Sequence, residues 1–161
     1  MIITILPSSA NFHAIAYNEI KVEKGQATLL EVQNIDGLRP EAYTTDKLQW
    51  YFLQYSARNT YIKKPQFHVA VSCNGTEYSH QQLLDIAHSY LKEMGYAEEG
   101  QPLLAYAHHD TDNNHIHIVT SRVDPDGHKI DHHHEKRRSR AVTLEIMKEY
   151  TGQKQEPEVN D

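Results

Sequence analysis

The chain of 161 residues has 39% hydrophobic and 24% charged residues and a formal net charge of −6. This is a globular composition, long enough for a self-supporting core in one domain or at most a small pair. A single cysteine, Cys73, excludes an internal disulfide framework and fits a reducing compartment. No apolar run approaches the roughly 20 residues of a membrane-spanning helix, and the start lacks a secretory signal, so a cytoplasmic protein is expected. The negative total argues against indiscriminate nucleic-acid binding over the whole surface. The twelve histidines, several of them clustered, point towards a metal.

In chain order, Ile2 to Leu6 reads as a short apolar strand ended by Pro7. Phe12, Ile15 and Ala16 then follow helical spacing, with Ser9 as the expected N-cap, and this short helix runs into Tyr17 and Asn18. The stretch Lys21 to Gln26 reads as a loop and Thr28 to Val32 as a strand. A second helix is expected from a Thr45 cap, with Leu48, Tyr51, Phe52 and Tyr55 at i, i+3, i+4 and i+7. Phe67, Val69, Val71 and Cys73 alternate as in a strand, and Asn74-Gly75 turns the chain. Ser79 and Gln82 fit a capping box for a third helix striped by Leu83, Ile86, Ala87, Tyr90, Leu91 and Met94 and ended by Gly95. Leu103 to His109 and His115 to Val123 read as two strands. Asp124-Pro-Asp-Gly127 is turn chemistry, and a last helix is expected over Ser139 to Tyr150, stopped by Gly152. The irregular alternation with at least one hairpin fits α+β: a central antiparallel sheet with a histidine-bearing hairpin and helices packed on it. Residues 1–152 form the expected domain, and 153–161 a polar tail or the start of a linker.

The segment His108-His-Asp-Thr-Asp-Asn-Asn-His115-Ile-His117 carries the most chemistry. Side chains alternate along a strand, so His115 and His117 share a face and Ile116 and Ile118 take the other. A four-residue loop, Thr111 to Asn114, would set Asp110 opposite His115 and His108 opposite His117. Opposed Cβ atoms lie roughly 4.5–5.5 Å apart, close enough for imidazoles to share an ion. Three protein ligands leave positions open, the pattern of a catalytic site, with Asp110 better placed to orient an imidazole than to bind. Without thiolates, Mg²⁺, Mn²⁺, Zn²⁺ or another divalent ion fits, and imidazole favours the transition metals. His132-His133-His134 reads as solvated surface. His109 should point away from the triad, and His68 shares a strand face with Ala70 and Ser72 from which it can reach the site.

His108-x-Asp110-x₄-His115-x-His117 resembles the three-histidine motif of conjugative relaxases, the mobilisation nucleases of the HUH class. Phe67-His-Val-Ala-Val-Ser72, the capped helix to Met94-Gly95, and Ser121-Arg-Val-Asp-Pro-Asp-Gly127 are similar to the blocks around that motif. Asn11-Phe12 and Ala16-Tyr17-Asn18-Glu19 resemble the family's tyrosine motif. The resemblance implies a metal-dependent, site- and strand-specific nicking of single-stranded DNA at an origin of transfer, starting the mobilisation of a plasmid or transposon in bacterial cytoplasm. Tyr17 would attack the phosphodiester, become joined to the 5′-phosphate and release a 3′-OH. His108, His115 and His117 would hold the ion, Mn²⁺ or Mg²⁺ before Zn²⁺, Ni²⁺ or Co²⁺. Asp110 is the candidate base or imidazole-positioning group.

Many relatives carry asparagine where this chain has Ser121, whose hydroxyl can still donate to DNA. Lys136, Arg137, Arg138 and Arg140, in a charged stretch ahead of the last helix, are the candidate phosphate contacts, with Lys21, Lys24, Lys63 and Lys64 as scattered additions. Trp50 can stack on bases but is expected on a buried helix face. Relatives usually continue well beyond such a domain, and accessory mobilisation and coupling proteins are implied partners. Tyr43 is the main rival nucleophile, while Tyr51, Tyr55 and Tyr90 lie on apolar stripes. The alternatives are a rolling-circle replication initiator of the HUH class, for which Tyr150 is the late helical tyrosine, a metal-dependent phosphodiesterase without a covalent step, and a binding module that holds metal or DNA without cleaving it.

Overall fold

Period-two alternation along five strands builds a sheet with two unlike faces. The structure is a computed structural model and describes residues 1–155. Its elements run β1 (Ile2–Leu6), α1 (His13–Glu23), β2 (Ala27–Gln33), α2 (Thr45–Ser56), β3 (Gln66–Ser72), α3 (His80–Met94), β4 (Leu103–His108), β5 (His115–Ser121) and α4 (Glu135–Gln155). The strands lie in the order β1-β3-β5-β4-β2, and every neighbouring pair is antiparallel. The expected antiparallel α+β architecture is therefore present, with the histidine hairpin β4–β5 inside the sheet.

Ala105, Ala107, Ile116 and Ile118 project to one face, where α3 and α4 cover them with Leu83, Ile86, Tyr90, Met94 and Ile146. Leu104, Tyr106 and Val119 project to the other, under Phe12 and Ile15 of the α1 segment and Leu48 and Phe52 of α2. Each large apolar side chain buried this way contributes about 1.5–3 kcal/mol, so both layers are anchored to the same strands. His117 shares its face with Val119, so the triad lies under α1.

Helix ends show where local rules were overridden. Ser79 and Gln82 form the expected capping box, and Gly95 ends α3 at φ 92°. Thr44, not Thr45, caps α2: its Oγ1 accepts the Lys47 N–H. At α1 the cap position is Phe12, not Ser9, with φ 55° and no side-chain cap of its own. Such a backbone costs a bulky residue roughly 1–3 kcal/mol, offset here by complete burial of the ring against Phe52, centroids 5.2 Å apart. Ser9 Oγ still accepts the His13 N–H at 3.3 Å, and Gln66 Oε1 accepts the Ala14 N–H at 2.9 Å. A strand side chain thus does part of the capping.

Further expectations are corrected. Helix α1 runs to Glu23, so Lys21, Val22 and Glu23 are helical rather than the start of a loop. Helix α4 begins at Glu135 rather than Ser139 and continues through Gly152 to Gln155, so the basic cluster lies on its first turns rather than ahead of it. One glycine costs a helix only about 1 kcal/mol, less than the surrounding helix formers offset. Trp50 is 59% exposed, on the solvent side of α2, because the buried stripe of that helix is Leu48, Phe52 and Ser56. Of the polar tail or linker expected over 153–161, residues 156–161 lie outside the described residues.

Candidate active site

The hairpin closes differently from the four-residue loop expected. His108 pairs with His115, and Tyr106 with His117. The connection spans 109–114 because its end is tied to the β3–α3 turn. The Asn114 N–H donates to the Gly75 carbonyl at 2.8 Å, the Gly75 N–H to Asn113 Oδ1 at 2.7 Å, and Asn114 Nδ2 to the Tyr78 carbonyl at 2.8 Å. The pairing moves by two residues, which preserves parity. His108, His115 and His117 therefore still share a face, while Asp110 leaves the ladder for the loop.

One ring nitrogen from each of these histidines lies within 4.8 Å of the other two. The His108 and His117 rings stack with centroids 4.1 Å apart, and His115 lies 4.8 Å from His108. The second nitrogen of each ring is engaged. His108 Nε2 donates to Asn18 Oδ1 at 2.6 Å, an orientation fixed by Asn18 Nδ2 donating to the Ala14 carbonyl at 2.8 Å. His115 Nδ1 donates to the Asn113 carbonyl at 3.0 Å. His117 Nδ1 lies 2.7 Å from His68 Nε2. Burial, with the neighbouring imidazoles, lowers the pKa of His108 to about 4 and that of His117 to about 2, and burial alone lowers His68 to about 4. All three are neutral imidazoles at pH 7.

These residues fit a divalent ion. Ligating histidines must be neutral and normally bond their other nitrogen to a carbonyl, amide or similar partner. His108 Nδ1 is buried without a hydrogen-bond partner and faces the cluster, a polar orphan that costs stability unless something occupies the site.

Helix α1 brings three more groups. Tyr17 is 48% exposed, and its ring lies 6.3 Å from His108 and 6.1 Å from His117 between centroids. Asn18, next in sequence, turns inward and is fully buried. Lys21, one helical turn after Tyr17, sets its ammonium 5.3 Å from the Tyr17 ring centroid and pairs with Asp110. The other Asp110 oxygen lies 3.8 Å from both His108 Nδ1 and His115 Nε2. Lys21 holds the Asp110 carboxyl below its ordinary range. A cleft of about 500 Å³ opens beside Tyr17, walled by Leu6, Pro7, Gln66, His68 and His117.

The remaining candidates lie elsewhere. Ser121 is fully buried; its hydroxyl bonds Ser56 Oγ at 2.7 Å and accepts the Val123 N–H. It pins α2 to the far end of β5. Lys136, Arg137, Arg138 and Arg140 ride on α4, which packs against the sheet face opposite the triad. Lys136 and Arg140 flank Ile3, Thr4 and Ile5 of edge strand β1, and Arg138 donates to the Asp131 and His133 carbonyls. His109 turns away to Thr28 and the His80 ring. Tyr43 packs on the core beneath α1 and α2, and Tyr150 meets Tyr78 in the opposite layer. Among the described residues, Tyr17 is the tyrosine whose ring lies against the triad.

The sequence reading leaves Lys21 among the scattered basic additions, at the head of a loop, and Asn18 as a neighbour of Tyr17 in its motif, with neither assigned to the histidines. The signal was there: i+4 places Lys21 on the helical face of Tyr17. His68 was reachable by strand parity.

The family model for the MobA/VirD2-like relaxase nuclease domain matches residues 17–151. No curated protein and no solved structure matches the chain.

Proposed function

The chain belongs to the MobA/VirD2-like relaxase nuclease-domain family, a family of DNA-nicking enzymes of mobilisation, and from that premise we propose that it cuts one DNA strand at an origin of transfer through Tyr17. The observation that carries this reading is the convergence of Tyr17 with His108, His115 and His117, each with its second ring nitrogen engaged, under one helix. His108, His115 and His117 would hold a divalent ion. When bound, that ion adds positive charge to the oxygens of the scissile phosphate. Mn²⁺ and Mg²⁺ are the proposed physiological ions, and the imidazole donors also accept Zn²⁺, Ni²⁺ or Co²⁺.

In the proposed step the Tyr17 Oη–phosphorus bond forms as the bond from phosphorus to O3′ breaks. The tyrosyl proton leaves to water, which reaches the half-exposed side chain, and the departing 3′-oxygen takes a proton in turn. The covalent 5′-phosphotyrosyl bond preserves the phosphodiester, so the reverse reaction rejoins the strand. Asp110 acts here as a positioning group: a carboxylate held by Lys21 is a poor base, but it faces His108 Nδ1 and His115 Nε2, nitrogens that would hold an ion. The proposed strand path continues past the edge of β1, where Lys136 and Arg140, with Arg137 and Arg138, supply flanking phosphate contacts. Ser121 supports the site by fixing strand β5. Accessory mobilisation and coupling proteins are the proposed partners, in bacterial cytoplasm. Among the described residues no helix is long and apolar enough to cross a membrane.

The test is covalent trapping. Single-stranded oligonucleotides tiled across the DNA flanking the gene are incubated with protein and Mn²⁺, then run on a denaturing gel. A metal-dependent protein–DNA band that disappears in Tyr17→Phe is expected. Cleavage without a covalent band would establish a plain hydrolase instead.

A further inference from the structure

We propose that Lys21 is a catalytic residue of this site, its ammonium meeting Tyr17 and the incoming scissile phosphate while Asp110 holds it in place. The inference rests on Tyr17 being the nucleophile. Lys21 lies one turn along α1 from Tyr17, with Nζ 5.3 Å from the ring centroid. Among the described residues it is the one lysine or arginine whose charge lies against that ring. Its partner Asp110 reaches the triad with its second oxygen, 3.8 Å from His108 Nδ1 and from His115 Nε2. A single ion pair thus connects the tyrosine with the metal-binding histidines. The Lys21 and Asp110 side chains retain only 20% and 17% of their exposure.

Charge supports the same role. A phosphodiester brings one negative charge to the site, and more develops on its oxygens in the transition state, where an ammonium already held in place stabilises it. Asp110 raises the proton affinity of Lys21, so Lys21 remains an ammonium throughout and neither gives nor takes the proton. The Tyr17 oxygen–phosphorus bond forms, the phosphorus–O3′ bond breaks, and both proton transfers go through water. A tie between α1 and the 109–114 loop is the plainer role for this pair, and it predicts a different result. Surface ion pairs contribute about 0–1 kcal/mol to folding, so removing the charge leaves the fold intact.

The experiment uses an oligonucleotide that gives the Tyr17-dependent adduct, in single turnover with Mn²⁺. Lys21→Met is expected to slow adduct formation by ~10²-fold at saturating oligonucleotide. Lys21→Arg should recover most of the rate. Mn²⁺ affinity, read by calorimetry without DNA, should equal wild type in both variants. Lys21→Gln repeats the test if the Met variant melts early. A Lys21→Met rate equal to wild type overturns the proposal. So does an Arg variant as slow as the Met variant, or a loss of Mn²⁺ affinity that parallels the rate, which would place Lys21 behind the histidines. Absence of any adduct from wild type, or an adduct that survives in Tyr17→Phe, removes the underlying reading instead.

Discussion

At Asn18, one amide serves two masters: Oδ1 accepts from His108 Nε2 while Nδ2 donates to the Ala14 carbonyl. The pairing fixes which His108 nitrogen carries the proton and leaves Nδ1 facing the cluster. Asn18→Ala is therefore expected to weaken Mn²⁺ binding by about 10–100-fold while the chain stays folded. Calorimetry checks this, and unchanged affinity would remove Asn18 from the site. The histidines themselves set a pH dependence. The folded pKa values of His68, His108 and His117 are depressed, so in the metal-free protein the unfolded chain takes up protons first. Stability is fully present above the unfolded value of about 6.5 and falls as the pH drops, down to about 4 for His68 and His108 and to about 2 for His117, by at most about 1.4 kcal/mol per pH unit for each histidine. Urea unfolding at stepped pH should show this loss, and the gap between wild type and His117→Gln should shift across the same window. A pH-independent gap would mean that His117 is not held neutral by the fold.

At the scale of elements, α1 is the piece that makes a site out of a sheet face. Its own N-terminus is poorly capped, and Gln66 from β3 compensates by accepting the Ala14 N–H and donating to the Pro7 carbonyl. Gln66→Ala is expected to cost about 1–3 kcal/mol, since it leaves a buried N–H unpaired. It should also slow adduct formation by loosening the helix that carries Tyr17. Denaturant unfolding measures the first effect, and a loss under 0.5 kcal/mol would show that the cap is dispensable. These elements explain what the sequence revealed. The triad was legible because strand alternation depends only on parity, which survived a two-residue error in pairing. The capping box of α3 was legible because both partners lie within one turn. The hairpin register was not, because Gly75 and Tyr78, far off in sequence, anchor Asn113 and Asn114. The Phe12 cap was not, because tertiary burial overrides the local preference of the backbone. The start and end of α4 and the exposure of Trp50 were missed for similar reasons: a single glycine is a weak stop, and helical spacing alone left two faces for α2 to bury.

Across the whole molecule, the chain is acidic overall but places its positive charge selectively. Lys21 lies at the triad, and the 136–140 cluster lies on the opposite layer, reaching the β1 edge. A single strand that touches both must pass around that edge. Lys136→Ala with Arg140→Ala should lower the salt dependence of oligonucleotide binding by about 0.7 in log–log slope per charge removed. Anisotropy titrations over a salt series test this, and an unchanged slope would take the cluster out of the DNA path. The central claim, that Tyr17 carries the strand, has a direct test in the sequence itself. Residues 1–21 hold no lysine or arginine before Lys21 and no tyrosine other than Tyr17. The covalent adduct is trapped with Mn²⁺, trimmed with nuclease, digested with trypsin and read by mass spectrometry. A nucleotide mass is expected on the peptide 1–21, located at Tyr17 as a 5′-phosphodiester. The same mass on the peptide that holds Tyr43, or on any other tyrosine, would contradict it.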